Sequence, residues 1–189
     1  MLANFFRGLC LTLVGVLTTV GLTVGLWSAP ALAELNDDNY DGNIFALYAG
    51  NGSIVPPRFD LAQSFKQDKP TLLFFYVDDS RDSKRFSSVV SQLQAPYGRA
   101  ANFVPVAADS IPIKDSYEKN EAGYYFKGVV PHTVVFDGAN NVVLNEVGQV
   151  PYEKIDDKLR EVFDLLPRTE SIELRRRSFN EVNTELVPD

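Results

Sequence analysis

A run of seven residues with almost no polarity, residues 71–77 (TLLFFYV), most constrains what this chain can fold into. An uninterrupted apolar run of this length between turn residues is typical of a strand that is buried on both faces of a sheet. A polar loop over residues 78–84 follows it. Apolar residues then recur at helical spacing, at Phe86, Val89, Val90 and Leu93. The sequence therefore predicts a buried strand that delivers a short polar loop to the N-terminus of a helix.

Residues 1–33 have the pattern of an export signal. Arg7 precedes an uncharged run over residues 9–27, and the segment ends in Ala-Leu-Ala at Ala33. The signal is either cleaved after Ala33 or kept as a membrane anchor, because the run of 19 residues is close to the length that spans a bilayer. Both interpretations place the rest of the chain across a membrane, since Arg7 stays on the cytoplasmic side.

The charge and the small number of metal-binding side chains argue against several classes of function. The net charge of -7 argues against a nucleic-acid partner, because proteins that bind nucleic acid present a basic face. Cys10 and His132 are the only Cys and His residues, which excludes a structural zinc site built on these side chains and an intramolecular disulfide. Three acids within residues 78–82 indicate a solvated loop, since they lack the spacing of a calcium-binding loop. We therefore expect no cofactor and no metal.

The remaining patterns divide the chain into four parts. After residues 1–33, residues 34–57 form an acidic, flexible lead with a possible edge strand at residues 44–48, residues 58–167 form the folded domain, and residues 168–189 form a charged tail. The patterns in the domain predict three further strands: one at residues 102–107, one that ends at residue 136, and one at residues 142–147. They also predict helices at residues 59–67, 85–93, 114–125 and 152–166. Two parallel crossovers and a final antiparallel hairpin then give an α/β fold, with a mixed sheet flanked by helices on both faces.

Four short motifs resemble the thioredoxin family, in the same order and at suitable spacing. Residues 69–76 resemble the central strand of that family, and residues 80–84 (SRDSK) fall where the family has Cys-x-x-Cys-Lys. Residues 129–133 (VVPHT) resemble the loop with a cis proline before a strand, and Gly148 resembles the glycine after the last hairpin. The resemblance spans residues 59–166 and implies a thioredoxin-like fold.

The resemblance stops at the chemistry of the polar loop. Thiol redox catalysis needs a thiolate at the helix N-terminus and a second thiol, and both positions are serines here, Ser80 and Ser83. We expect these serines to cap the helix, and we expect the chain not to be an enzyme. The alternative is a hydrolase in which His132 acts on one of the serines, although no third member or oxyanion hole is identifiable.

The predicted functional site is a groove that binds other proteins. It lies between the polar loop and the proline loop, where an extended peptide can pair with the backbone that a cis proline exposes. A trans turn at the Val130–Pro131 peptide bond is the alternative. The residues assigned to this groove are Ser80, Arg81, Asp82, Ser83, Val130, Pro131 and His132.

The whole chain, with its signal, its Ser-x-x-Ser loop and the three arginines at residues 175–177, also resembles cyanobacterial thylakoid membrane factors for photosystem I accumulation. This resemblance implies a redox-inactive, protein-binding factor in the thylakoid membrane or lumen that supports the assembly or accumulation of photosystem I. The implied partners are proteins, chiefly subunits of a membrane complex, and the implied setting is membrane-associated. The alternatives are a periplasmic location and a structural subunit of an exported membrane complex.

Overall fold

The computed structural model of the 189-residue chain describes residues 34–171. The strands within them are β1 (Thr71–Tyr76), β2 (Asn102–Ala107), β3 (His132–Phe136) and β4 (Val142–Val147). The α-helices within them are α1 (Ile44–Leu47), α2 (Leu61–Ser64), α3 (Arg81–Tyr97) and α4 (Tyr152–Val162). The predicted export signal, and residues 175–177 of the predicted tail, lie outside the described residues.

The strands form one mixed sheet in the order β2-β1-β3-β4. β1 is parallel to β2 and antiparallel to β3, and β3 and β4 form an antiparallel hairpin. The predicted α/β fold with a mixed sheet is confirmed, but the prediction of two parallel crossovers is wrong. The helix α3 provides the parallel crossover from β1 to β2, whereas residues 108–131 connect β2 and β3 at the same end of the sheet without a full helix.

Each face of the sheet has its own hydrophobic core, because successive side chains of a strand point to opposite faces. Leu72, Phe74 and Tyr76 point to one face and pack with α1, α3 and α4. Leu73 and Phe75 point to the other face, towards α2 and the segment that precedes β3. β1 is buried over its whole length, as its apolar sequence predicts, and the helices on both faces are positioned against it.

The predicted edge strand at residues 44–48 is wrong, because the chain forms helix α1 there. Asn43 caps this helix by accepting hydrogen bonds from the backbone N–H groups of Phe45 and Ala46, both at 3.2 Å. Ile44 and Phe45 are adjacent and are both buried in the same core, whereas adjacent residues of a strand would point to opposite faces.

The predicted helix at residues 114–125 is also wrong. The structure has a single 3-10 turn there, Ala122–Tyr124, within irregular chain. Hydrogen bonds from side chains to the backbone hold this segment. The Tyr125 hydroxyl, for example, donates to the Lys119 carbonyl oxygen at 2.8 Å. Such bonds compete with the regular bonds of a helix, which explains why apolar spacing alone is misleading here.

The predicted helices at residues 85–93 and 152–166 are confirmed, with different ends. α3 is longer than predicted and continues through Pro96, which lies in its last turn and removes only one helical hydrogen bond. α4 ends at Val162, shortly before Asp164 adopts a left-handed backbone conformation with a φ of 52°.

Candidate binding surface

Two serines, Ser80 and Ser83, shape the loop between β1 and α3. Ser80 is the N-cap residue of α3, and its Oγ accepts a hydrogen bond from the Ser83 backbone N–H at 3.2 Å. The Ser83 side chain is buried, and its Oγ accepts from the Val77 backbone N–H at 3.4 Å. Both hydroxyls therefore stabilise the junction between β1 and α3. The predicted helix cap is confirmed for Ser80 and is wrong for Ser83, which lies inside the helix and bonds to the end of the preceding strand.

The acidic lead packs against this loop. Lys84, the next residue of α3, has a fully buried side chain whose Nζ donates to Asp37 at 2.8 Å and to Asp41 at 2.6 Å. The same Nζ donates to the Glu34 carbonyl oxygen at 3.1 Å. The prediction of a flexible lead is wrong for this stretch, because one buried cation holds two of its acids in place.

Lys84, Asp37 and Asp41 form a lysine cluster that stays charged at neutral pH. Burial acts to lower the pKa of Lys84, but its hydrogen bonds to the two carboxylates outweigh burial and raise that pKa. The hydrogen bonds to Lys84 also lower the pKa values of Asp37 and Asp41 below their ordinary value of 3.8. Tyr48 completes the cluster, since its hydroxyl donates to Asp41 and its ring center lies 5.4 Å from the Lys84 ammonium.

Two further hydrogen bonds join the lead to the first turns of α3. Asp38 Oδ1 accepts from the Arg81 backbone N–H at 3.0 Å, and Asn36 Oδ1 accepts from Arg85 Nη2 at 2.8 Å. The first bond satisfies one of the backbone N–H groups that the start of a helix leaves without a partner. The Asp38 carboxylate therefore lies at the N-terminus of α3, where the helix dipole stabilises a negative charge.

The proline loop is joined to the start of α3 through the chain that follows β4. The Val130–Pro131 peptide bond is cis, and the Pro131 carbonyl oxygen accepts from the Gly148 N–H at 2.7 Å. Gln149, the next residue, donates from Nε2 to Asp82 Oδ1 at 2.9 Å. We name these three segments the loop cluster: residues 80–83, 129–132 and 147–149.

The exposed part of the loop cluster combines apolar and polar side chains. Val129 is 51% exposed and Val147 is 46% exposed. Arg81, Asp82 and Gln149 are exposed as well. Apolar side chains beside groups that can form hydrogen bonds are the combination that protein-binding surfaces present.

The seven predicted groove residues divide into exposed and supporting ones. Ser83, Pro131 and His132 are buried, so they hold the loops in place and do not face solvent. Sequence reasoning misses Val147 and Gln149, although both belong to the same surface. Their position depends on sheet pairing, in which Val147 lies opposite His132, and no local pattern marks such a pairing.

His132 lies in the interior, on the face of the sheet opposite α3. Its ring stacks on Phe75 with 5.2 Å between ring centers, and its Nε2 is hydrogen bonded to Asn145 Oδ1 at 2.9 Å. Over residues 34–171, no hydrogen bond joins His132 to Ser80 or Ser83. The arrangement therefore does not form the Ser–His pair that a hydrolase of this kind needs.

The polar side chains at the center of the loop cluster have structural contacts. The serine hydroxyls accept hydrogen bonds from backbone groups of the junction, and the histidine is enclosed in the core. In the part of the chain that the structure describes, no group of three or more Cys, His, Asp or Glu side chains could hold a metal ion.

We expect acid to destabilise the domain below pH 6.5 because of His132. Burial lowers the pKa of His132 from its ordinary value of 6.5, so the unfolded chain binds a proton at a higher pH than the folded protein does. The variant His132→Phe keeps a ring on Phe75 and cannot take up this proton. Urea unfolding between about pH 7.5 and about pH 5.5 should show that the variant has lost most of this pH dependence. If the free energy of unfolding changes equally with pH in both proteins, protonation of His132 is not the cause, since His132 is the only histidine.

The sheet topology, with a helix that begins directly after the central strand β1, defines the fold as thioredoxin-like. Among solved structures, the chain is similar to the thioredoxin Deadhead from Drosophila melanogaster, with 19% identity and a TM-score of 0.41 over 50% of this chain and 82% of that one. It is also similar to a mutant thioredoxin from Halobacterium salinarum NRC-1, with 21% identity and a TM-score of 0.43 over 55% of this chain and 83% of that one.

A sequence relative identifies the family within this class. The chain is 46% identical over 175 residues to the thylakoid membrane protein slr1796 of Synechocystis sp., with 88% of this chain and 87% of the relative covered. The chain therefore belongs to the family of that thylakoid membrane protein. No family model matches the sequence. Among the helices of residues 34–171, none has the length and apolarity to cross a membrane.

Proposed function

We propose that this protein is a redox-inactive factor that binds other proteins on the lumenal side of the thylakoid membrane and supports the assembly or accumulation of photosystem I. The observation that carries the proposal is the use of Ser80 and Ser83 as structural supports of α3, where thioredoxins have reactive thiols. The frame of a thioredoxin is present without its redox groups, which favours partner binding as its role.

Two observations favour the proposed location. The relative at 46% identity bears the name thylakoid membrane protein. The pattern of residues 1–33 predicts export, which would place the described domain on the far side of a membrane. The resemblance of the whole chain to photosystem I accumulation factors supplies the candidate complex.

The loop cluster offers a partner both apolar side chains and free backbone. Val129 and Val147 each expose about half of their surface, at 51% and 46%. In residues 34–171, no backbone hydrogen bond outside the helices and strands involves Val129 or Val130. An extended segment of a partner can pair with this backbone and cover the two valines, as in β-strand addition.

We expect the variant Val147→Asp to lose the protein partner and the variant Val142→Asp to keep it. Both valines belong to β4 and are similarly exposed, at 46% and 45%, but only Val147 lies in the loop cluster. Because a carboxylate at the center of an apolar contact is poorly solvated, recovery of the partner should fall by about tenfold or more. Tagged chains are purified from a cyanobacterial host, and co-purified membrane-complex subunits are quantified by mass spectrometry. Equal recovery with both variants would exclude the loop cluster as the contact.

Deletion of the gene tests the link to photosystem I. We expect less photosystem I per cell in the deletion strain, and recovery when the unsubstituted chain is restored. Unchanged photosystem I would rule out this part of the proposal.

The stoichiometry of this protein relative to the complex tests the alternative of a structural subunit. A subunit is present in the mature complex in constant amount, whereas an assembly factor is substoichiometric and absent from the finished complex.

A further inference from the structure

A cavity of about 390 Å³ lies at the end of the sheet opposite the loop cluster. Its walls include residues of the turn before β1, the start of β2 and the end of α3. The loop cluster, in contrast, contains the chain that leaves β1 and enters α3. The volume is in the range of sites that bind small molecules, and the proposed function does not involve this cavity.

All charged side chains in the wall of this cavity are cationic. They are Arg58, Lys69 and Arg99, and no acid lines the cavity. None of the three forms an ion pair with another residue of the range 34–171. Three cations without acidic partners concentrate positive potential at one place on a chain whose net charge is -7.

Asn102 also lines the cavity and carries a hydrogen-bond donor that the described residues leave unused. The residue is 8% exposed, and its Nδ2 is buried without a hydrogen-bond partner among the described residues. Its backbone N–H donates to the Pro70 carbonyl oxygen at 2.9 Å, which anchors the residue at the first position of β2. A buried donor without an acceptor is costly, and a turn of the Asn102 amide towards the cavity would let a ligand oxygen supply the missing acceptor.

We infer that this cavity binds an oxyanion of the phosphate or sulfate type. Arg58, Lys69 and Arg99 come from three separate segments, and such donors suit a group that presents oxygens on several sides, which a planar carboxylate does not. The Arg58 guanidinium is held 5.3 Å from the center of the Phe59 ring, which is itself a wall of the cavity. The anion is carried either by a free small molecule or by the head group of a lipid.

Titration of the purified chain with inorganic phosphate and with sulfate, followed by NMR, tests this inference. We expect saturable shifts of the Asn102 side-chain amide and of the Gly98 and Arg99 backbone amides, and no such shifts with sodium chloride at equal ionic strength. The double variant Lys69→Ala/Arg99→Ala should bind about tenfold more weakly or worse, because two charge-assisted hydrogen bonds are removed. The matched control is Lys119→Ala, since Lys119 is exposed and lies outside the cavity.

Vesicles distinguish the two possible carriers of the anion. A lipid head group as ligand predicts that vesicles of an anionic phospholipid co-sediment the unsubstituted chain more strongly than the double variant, and that inorganic phosphate competes. A free anion as ligand predicts binding of phosphate with equal co-sedimentation of both proteins. The inference is overturned if neither anion shifts Asn102 in a saturable way, or if the double variant binds both anions as tightly as the control.

Discussion

Replacement of Asp156 by alanine is expected to lower the free energy of unfolding by about 3 kcal/mol. Asp156 lies in α4, is 3% exposed, and accepts a hydrogen bond from the Tyr97 hydroxyl at 2.6 Å. It also accepts from Arg160 Nε at 2.9 Å and from Arg168 Nη2 at 2.8 Å. The variant removes the buried carboxylate that the two guanidinium groups share, and leaves Arg168 with an exposed partner only. The loss is at the lower end for a broken buried pair, because the arginine side chains remain 24% and 31% exposed.

The neighbouring acid provides the matched control for this variant. Asp157 also pairs with Arg168, at 3.2 Å, but its side chain is 53% exposed. We expect Asp157→Ala to lower the free energy of unfolding by less than about 1 kcal/mol, since water solvates and screens this pair. Urea unfolding of both variants measures the difference. Similar losses would show that burial of Asp156 is not the source of the effect.

The second large effect is expected for Lys84→Met, which keeps much of the side-chain length and removes the charge. Asp37 and Asp41 are then left facing each other beside a buried apolar group, so we expect residues 34–41 to detach from α3. Tm should fall by about 5 °C or more, and a protease should cleave this stretch in the otherwise folded domain.

Arg85→Met is the control for the lysine cluster. Arg85 is the adjacent cation in α3, but it is exposed and makes one hydrogen bond to the lead, to Asn36. Its replacement should change Tm by only about 1 °C. If Lys84→Met leaves the lead as resistant to protease as Arg85→Met does, contacts other than the lysine cluster hold the lead in place.

The lysine cluster also sets the pH range in which the lead is held. The pKa values of Asp37 and Asp41 are lowered below 3.8, so their contribution is present above that pH and is lost as the pH falls through their folded-state values. The pKa of Lys84 is raised above 10.5, so its contribution is present below that pH and is lost as the pH rises through the folded-state value. Protease resistance of the lead should therefore stay constant between about pH 5 and about pH 9.

The elements that depend on local sequence could be predicted. The strand β1 follows from its apolar run, and the cap at Ser80 follows from a serine placed just before a helical pattern. The turn of the β3–β4 hairpin is equally local. Asp137 accepts hydrogen bonds from the N–H groups of Ala139 and Asn141, at 2.9 and 2.8 Å, and Asn140 adopts a left-handed φ of 65°.

The contacts that complete the loop cluster and the lead could not be predicted in the same way. Lys84 binds acids that lie 47 and 43 residues earlier in the chain. Gln149 binds Asp82 across a separation of 67 residues. These pairs depend on where the sheet brings distant loops together, and side chains that meet in this way leave no periodic pattern in the sequence. The same holds for the cationic cavity, whose lysine and arginines lie far apart in the chain.

The helix α3 joins the two surfaces at opposite ends of the sheet. Arg81 and Asp82 in its first turn belong to the loop cluster, and Gly98, its C-cap residue, lines the cationic cavity. Its 17 residues, at the rise of an α-helix, span about 25 Å. This distance is several times the diameter of an oxyanion, so a ligand at one end leaves the other end sterically free. The proposed anion site and the proposed partner surface are therefore separated by the length of α3, so that occupation of one does not sterically block the other.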